Sequence, residues 1–202
     1  MTPLIVLAVQ CTFSLFVFYL LSRWYLLPRI TKSSRYEVLA VLLVVNVFRY
    51  LPLSLYMPGQ VSTDFPEHVK EIVAHGDFAS GVLALIALLL LKSKSKLAIP
   101  FAWIFSMVSI LDMILALFFA MSEKVYELPL GVNYFTVAVY VPMLMVTQAI
   151  ILKLLIVNIR IQKSEIRSKK NKVVKPRLLP TIEHRLWTID YRPWTMDYGL
   201  RT

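Results

Sequence analysis

Three ionisable residues stand inside apolar stretches of the sequence, where charges are rare: Arg49, Asp77 and Asp112. An ionisable side chain inside a membrane-spanning segment is costly, and such residues generally face the bundle interior beside a partner. At a helix rise of about 1.5 Å per residue, the three lie about 18, 21 and 22 Å from the ends of their segments that are flanked by Lys or Arg. They are therefore predicted to share one layer, with Asp112 favoured as the counter-ion of Arg49.

Other polar residues fall in the same layer or deeper. His75 precedes Asp77, and Tyr50 follows Arg49. Asn46 lies three residues before Arg49, so the two share a helix face. The predicted intramembrane polar cluster is Arg49, Asp112, Asp77, His75, Tyr50, Tyr134 and Asn133, above a midplane layer of Asn46, Gln10 and Gln148. Pro52 removes a helical hydrogen bond, which is predicted to leave the carbonyl of Phe48 as a free acceptor beside Arg49.

Five apolar segments must position these residues. With 58% hydrophobic residues, 17% charged residues and a mean hydropathy of +0.66, the chain is too apolar for a soluble protein of its size. Crossing a bilayer takes about 20 apolar residues, and each segment approaches or exceeds that length. The sequence predicts an all-α bundle of about five transmembrane helices in residues 1–157, with spans at about 3–22, 37–57, 72–91, 97–121 and 131–157. A basic, flexible tail is predicted for residues 158–202.

The distribution of Lys and Arg indicates the orientation. Basic residues concentrate after the first span, after the third span and in the tail, whereas the other loops hold mainly Asp and Glu. Cytoplasmic loops are enriched in Lys and Arg. The N-terminus is therefore predicted to lie outside and the C-terminus in the cytoplasm. In one outer loop, Asp64-Phe-Pro-Glu67 is predicted to begin a short interfacial helix that leads into the third span.

The net charge of +10 comes largely from the tail. A basic segment beside a membrane span is typical of contact with anionic lipid headgroups rather than with nucleic acid. The residues predicted to make this contact are Lys169, Lys170, Lys172 and Lys175. An imperfect repeat, Trp-Thr-Ile-Asp-Tyr-Arg-Pro followed by Trp-Thr-Met-Asp-Tyr-Gly-Leu, occupies residues 187–200 and has no assigned role.

Several stretches resemble an uncharacterised family of small multi-pass bacterial inner-membrane proteins. They run from about residue 40 to about residue 155 and read Asn46-Val-Phe-Arg49-Tyr50, Pro58-Gly59, His75-Gly76-Asp77, Asp112 after Trp103-Ile-Phe, Tyr134-Phe, and Val141-Pro142-Met-Leu-Met-Val-Thr147-Gln148. The resemblance implies a multi-pass fold in the inner (cytoplasmic) membrane of a bacterium. It implies no activity.

The chemistry of the polar cluster leaves several functions open. The charges can simply hold the helices together. Beyond that, the leading hypothesis is a non-enzymatic membrane protein whose outer-leaflet cluster binds a small or lipid-like ligand or a partner subunit. The alternatives are a membrane-embedded enzyme acting on a lipid or quinone, and a small transporter or channel. No nucleophile has an adjacent base, so no catalytic residue is assigned; the cofactor stays open and no metal site is predicted.

Overall fold

The computed structural model describes residues 2–30 and 35–174, and these form helices joined by short loops. Helix type changes within three of the long stretches. The elements are α1 (Pro3–Leu21), a π-helical turn (Ser22–Leu26), a 3₁₀ turn (Leu27–Arg29), α2 (Arg35–Val47), a 3₁₀ helix (Phe48–Tyr56), α3 (Glu67–Lys92), α4 (Ala98–Ser122), a 3₁₀ turn (Val125–Glu127), α5 (Asn133–Phe135), a π-helical turn (Thr136–Tyr140) and α6 (Val141–Val174).

Five helical stretches are long and apolar enough to cross a membrane, in agreement with the number predicted. They are termed the first to fifth spans: Pro3–Arg29, Arg35–Tyr56, Glu67–Lys92, Ala98–Ser122 and Asn133–Ser168. The third and fourth spans coincide with α3 and α4.

The chain divides after Ile159 into two units. In the second unit, residues 160–174 are helical. The flexibility predicted for the tail from residue 158 stays a prediction. Lys169, Lys170 and Lys172 belong to this helix. Lys175 and the repeat of residues 187–200 lie outside the described residues.

The first unit is built around four spans. A buried apolar core joins α2, α3, α4 and α6; its largest fully buried members include Leu43, Phe105 and Ile151. The first span is peripheral, since no residue of α1 is buried. It contacts the turns at Val125–Glu127 and Thr136–Tyr140.

The start of α3 differs from the prediction. The structure has one helix from Glu67 to Lys92, without a separate interfacial helix before it. Pro66 occupies the N-cap position, and no side chain caps the helix. The predicted short helix and its Asp64 cap are therefore wrong. The reason is packing, because Val69 is already 1% exposed and Ala74 fully buried, so the first turns of α3 belong to the bundle.

Two loops, residues 57–66 and 123–132, pair at one end of the bundle, which is called the loop end. The backbone N–H of Ser62 donates to the carbonyl of Pro129 at 3.2 Å. Gly131 has a φ of +53°, and a Cβ there would collide with the carbonyl of Gln60, so only glycine fits this close approach. Beneath the loops lies a second apolar cluster of buried residues, consisting of Phe65, Val69, Val125 and Leu130.

The second span tightens from an α-helix to a 3₁₀ helix at Phe48, ahead of Pro52. A 3₁₀ helix has three residues per turn, so every third side chain lies directly above the last. Arg49, Pro52 and Leu55 obey this spacing, and they are the buried residues of the segment. In the 3₁₀ pattern the proline leaves the carbonyl of Arg49 without its helical donor, rather than the carbonyl of Phe48 as predicted for an α-helix.

Candidate functional site

Arg49 is the largest fully buried side chain in the described chain, at 2% exposure. Its Nε donates to Oδ1 of Asp77 at 2.7 Å, and its Nη2 donates to Oδ2 of Asp112 at 2.7 Å. Its Nη1 donates to the hydroxyl of Ser109. These four residues are called the Arg49 cluster. The sequence places the three charges at one depth but favours Asp112 alone as counter-ion, whereas the structure pairs Arg49 with both aspartates.

Small residues on α3 make room for the Arg49 cluster. A Cβ on Gly76 would overlap Oδ1 of Asp112, so any larger residue there would displace that carboxyl group. A Cβ on Gly81 would lie 3.1 Å from the carbonyl of Val47 and 3.6 Å from Cβ of Arg49. The pattern of glycines on α3 thus allows both neighbouring helices to approach closely enough for the ion pairs to form.

A layer of neutral hydrogen bonds continues the Arg49 cluster away from the loop end. The hydroxyl of Ser109 donates to Oε1 of Gln148 at 3.3 Å. Nε2 of Gln148 donates to the hydroxyl of Ser106 at 2.9 Å and to its carbonyl at 3.3 Å. Asn46 donates to the carbonyl of Leu42 at 2.8 Å and to the hydroxyl of Thr147 at 3.4 Å. The bonds of Gln148 fix α4 against the fifth span, and the bond from Asn46 to Thr147 joins α2 to the fifth span.

Several residues of the predicted cluster lie elsewhere. Tyr50 is 44% exposed, and its ring lies beside Phe48. His75 is also exposed, with Nδ1 at 2.9 Å from the carbonyl of Glu71 on its own helix. Successive helical residues point about 100° apart, so a sequence neighbour of a buried charge generally faces another direction.

Tyr134 and Gln10 form a separate contact. The hydroxyl of Tyr134 donates to Oε1 of Gln10 on the peripheral first span. Gln10 thus bonds to Tyr134 rather than to Asn46 or Gln148.

A cavity of about 290 Å³ begins at Arg49 and Asp77 and extends toward the loop end. The stacked side chains of Arg49, Pro52 and Leu55 form one wall. The apolar cluster beneath the loops closes the far end, since all four of its buried members line the cavity.

The cavity opens sideways between α4 and the fifth span. These helices are bonded to each other at Ser109 and Gln148, and the cavity separates them beyond that point. Lining residues on both sides of the gap are exposed, at 60% for Ile114, 61% for Leu117 and 43% for Met145. The exposed side chains around the opening are apolar. If the bundle lies in a bilayer, the opening would therefore face the lipid.

One polar group of the cavity wall lacks a partner. Asn133 is 4% exposed, and its Oδ1 accepts a hydrogen bond from the hydroxyl of Ser54 at 2.7 Å. Its Nδ2 is buried without a hydrogen-bond partner in the described chain. An unsatisfied buried amide costs about 1–3 kcal/mol.

The sequence matches the family described as "Domain of unknown function (DUF8737)" over residues 6–156. The chain belongs to the DUF8737 family. The match agrees with the expectation of an uncharacterised family, and it covers the whole cavity and the Arg49 cluster. A comparison with curated proteins found no match, and a comparison with solved structures found none.

Sequence reasoning missed two polar residues at the cavity of this DUF8737 domain. Ser54 holds Asn133, and the hydroxyl of Tyr140 donates to the carbonyl of Val45 at 3.0 Å. Like Arg49, both are polar residues within apolar stretches of the sequence. That position is the sequence signal that could have identified them. In the described residues, no group of three or more His, Cys, Asp or Glu side chains could hold a metal ion.

Proposed function

We propose that the protein is a multi-pass membrane protein that binds a lipid-like amphipathic molecule in the cavity between α4 and the fifth span. The observation that carries this proposal is the cavity itself, about 290 Å³ in volume, with the unpartnered amide of Asn133 and the charged groups of Arg49 and Asp77 in an otherwise mainly apolar wall. Ligand sites generally combine an apolar lining with a few polar groups that fix orientation.

The volume of the cavity limits how much of the ligand it can enclose. A dry apolar cavity of about 150 Å³ holds a benzene ring. A cavity about twice as large accommodates a substituted ring or a short length of acyl chain. The rest of the molecule would pass through the gap beside Ile114 and Leu117, which gives access from the bilayer rather than from water.

A purely structural role explains the ion pairs but not the space next to them. If ion pairs serve only to hold helices together, close packing of the surrounding side chains is expected, because protein interiors are generally filled. Here the wall residues Val73, Ala116 and Leu144 leave room instead. The structural role and ligand binding are compatible, because the ion pairs would hold the wall in place.

Native mass spectrometry of the protein extracted from its own membrane tests the proposal. The wild type should retain a lipid-like molecule, and Ala116→Trp should lose it because the new ring fills the cavity. Leu115→Trp is the matched control: its side chain is 39% exposed and lies outside the cavity lining, so this variant should retain the molecule. Equal retention by both variants, or none by the wild type, would contradict the proposal.

The membrane and the orientation are part of the proposal. The distribution of Lys and Arg supports an N-terminus outside and a cytoplasmic C-terminus, and the resemblance supports a bacterial inner membrane. In that orientation the cavity lies in the outer half of the bilayer. Lys169, Lys170, Lys172 and Lys175 would meet anionic headgroups at the cytoplasmic face.

Transport of the same molecule is a second candidate, favoured by the helix geometry at the cavity. Transporters commonly form their binding sites from interrupted helices. The 3₁₀ helix Phe48–Tyr56 and the π turn Thr136–Tyr140 both contribute to the wall. Vesicles containing the protein and the molecule identified by mass spectrometry would decide: protein-dependent flux across the bilayer supports transport, and binding without flux opposes it.

A further inference from the structure

The Arg49 cluster contains more acidic groups than basic ones. One guanidinium faces two carboxyl groups, each at 2.7 Å. If both carboxyl groups were ionised, the cluster would carry a net charge of −1 in an interior where isolated charge is costly. A positive charge, either a proton or a cationic group, is needed to balance it.

The two carboxyl groups are held close together by the one guanidinium. Asp77 accepts a hydrogen bond from its Nε and Asp112 accepts one from its Nη2, each at 2.7 Å. Two ionised carboxylates that share a site repel each other, which favours a proton on one of them. This geometry favours a cluster that holds one shared proton and has no net charge.

One of the two acids is reachable from the cavity. Asp77 is 13% exposed and lines the cavity, whereas Asp112 does not line it and lies against Ser80 and Gly76. The titratable or charged groups that face the pair are Arg49 from the second span and Tyr140 from the fifth. His75, on the same helix as Asp77, is exposed and bonds to its own helix.

We propose that the molecule bound in the cavity is a cationic amphiphile, whose positively charged group displaces a proton shared by Asp77 and Asp112. This inference rests on the proposed function and adds the charge of the ligand. The exchange is balanced: one cation enters, one proton leaves for the aqueous phase, and the cluster keeps zero net charge. The apolar part of the ligand then occupies the space toward Phe65 and Leu130.

The test uses two molecules of the same shape. Benzyltrimethylammonium has a positively charged quaternary nitrogen where neopentylbenzene has a neutral carbon, and the two molecules are otherwise the same. Each has one ring that suits the cavity volume. Binding to the full-length protein in nanodiscs of zwitterionic lipid is measured by calorimetry in two buffers of different ionisation enthalpy. We expect the cation to bind at least tenfold more tightly and to release about one proton. Because binding releases one proton, the affinity for the cation should rise about tenfold for each unit by which the pH is raised, as long as the shared proton is present in the free protein.

Two variants locate the effect. Asp112→Asn keeps the shape of the side chain but removes one acid, so the preference for the cation over neopentylbenzene should fall to within threefold and proton release should vanish. Ala116→Trp should abolish binding of both molecules, whereas Leu115→Trp should abolish neither.

The outcomes separate this inference from the proposed function. If neopentylbenzene binds as tightly as the cation, or if no proton is released, the cationic ligand is refuted while the cavity site stands. If neither molecule binds and no lipid-like molecule is retained in native mass spectrometry, the proposed function fails as well.

An infrared measurement on the wild type avoids dependence on the folding of any variant. The carbonyl stretch of a protonated carboxyl group should be present in the free protein and disappear as benzyltrimethylammonium is added. A carboxyl band that the cation does not change, or no such band in the free protein, would overturn the inference.

Discussion

Replacing Arg49 should destabilise the bundle more than replacing either of its aspartates. Removing the arginine leaves Asp77 and Asp112 facing each other without a cation, and breaking a buried ion pair in this way costs about 3–5 kcal/mol. Removing Asp112 leaves Arg49 paired with Asp77 at 2.7 Å, so the loss is limited to the hydrogen bonds of one carboxyl group, about 1–3 kcal/mol. Asp77→Ala should resemble Asp112→Ala for the same reason.

A double-mutant cycle measures the contact directly. Arg49→Ala combined with Asp112→Ala should cost less than the sum of the single losses, with a coupling of about 0.5–3 kcal/mol, because the double variant strands one charge fewer. Unfolding by SDS in mixed micelles, followed by circular dichroism, gives the free energies. Glu67→Ala serves as a control: it breaks the ion pair with Lys70, in which Glu67 is 65% exposed, and such surface pairs are worth about 0–1 kcal/mol.

Two results would refute this reasoning. A loss for Arg49→Ala no larger than that for Asp112→Ala would mean that the second aspartate does not share the arginine. Simple additivity in the cycle would mean that Arg49 and Asp112 do not interact in the membrane, whatever their separation in the structure.

Three other experiments test the fold and its placement. Gly76→Ala should destabilise the protein and lower the coupling of Arg49 to Asp112, because its Cβ overlaps that carboxyl group; an unchanged cycle would oppose this. A reporter fused after Thr202 should be cytoplasmic and a tag at Thr63 should be outside; alkaline phosphatase activity from the C-terminal fusion would reverse the orientation. Deleting the chain after Arg167 should leave thermal stability in detergent nearly unchanged but weaken binding to anionic vesicles, by about 1 kcal/mol per basic residue near the surface; a large fall in stability would contradict it.

The depth of the charged residues could be predicted from the sequence, because helix rise alone fixes it. Counting residues from the segment ends places Arg49, Asp77 and Asp112 at one level, and the structure brings them together. The direction of a side chain depends instead on how each helix is rotated, which packing decides. Proximity in sequence therefore groups His75 and Tyr50 with the charges, yet their side chains face other neighbours in the structure.

The cavity could not be predicted in the same way. It results from the separation of α4 from the fifth span beyond Gln148, and that separation depends on the relative tilt of two helices rather than on any local motif. Ser54 and Asn133 meet across 79 positions of the chain, so neither signals the other in sequence. The sequence predicts a missing hydrogen bond at Pro52 but not the change of helix type at Phe48.

That change of helix type also alters the length of the second span. Thirteen α-helical residues at about 1.5 Å and nine 3₁₀ residues at about 2.0 Å give a span of about 38 Å, against about 33 Å for an uninterrupted α-helix of the same 22 residues. A hydrocarbon layer of about 30 Å accommodates the longer rod by tilting it or by thickening around it. The rod carries Arg49, so its inclination sets the angle at which the guanidinium meets α3 and α4. Changing the acyl-chain length of the surrounding lipid should therefore change the geometry of the ion pairs without any change to the protein. Hydrophobic mismatch would in this way act on the Arg49 cluster.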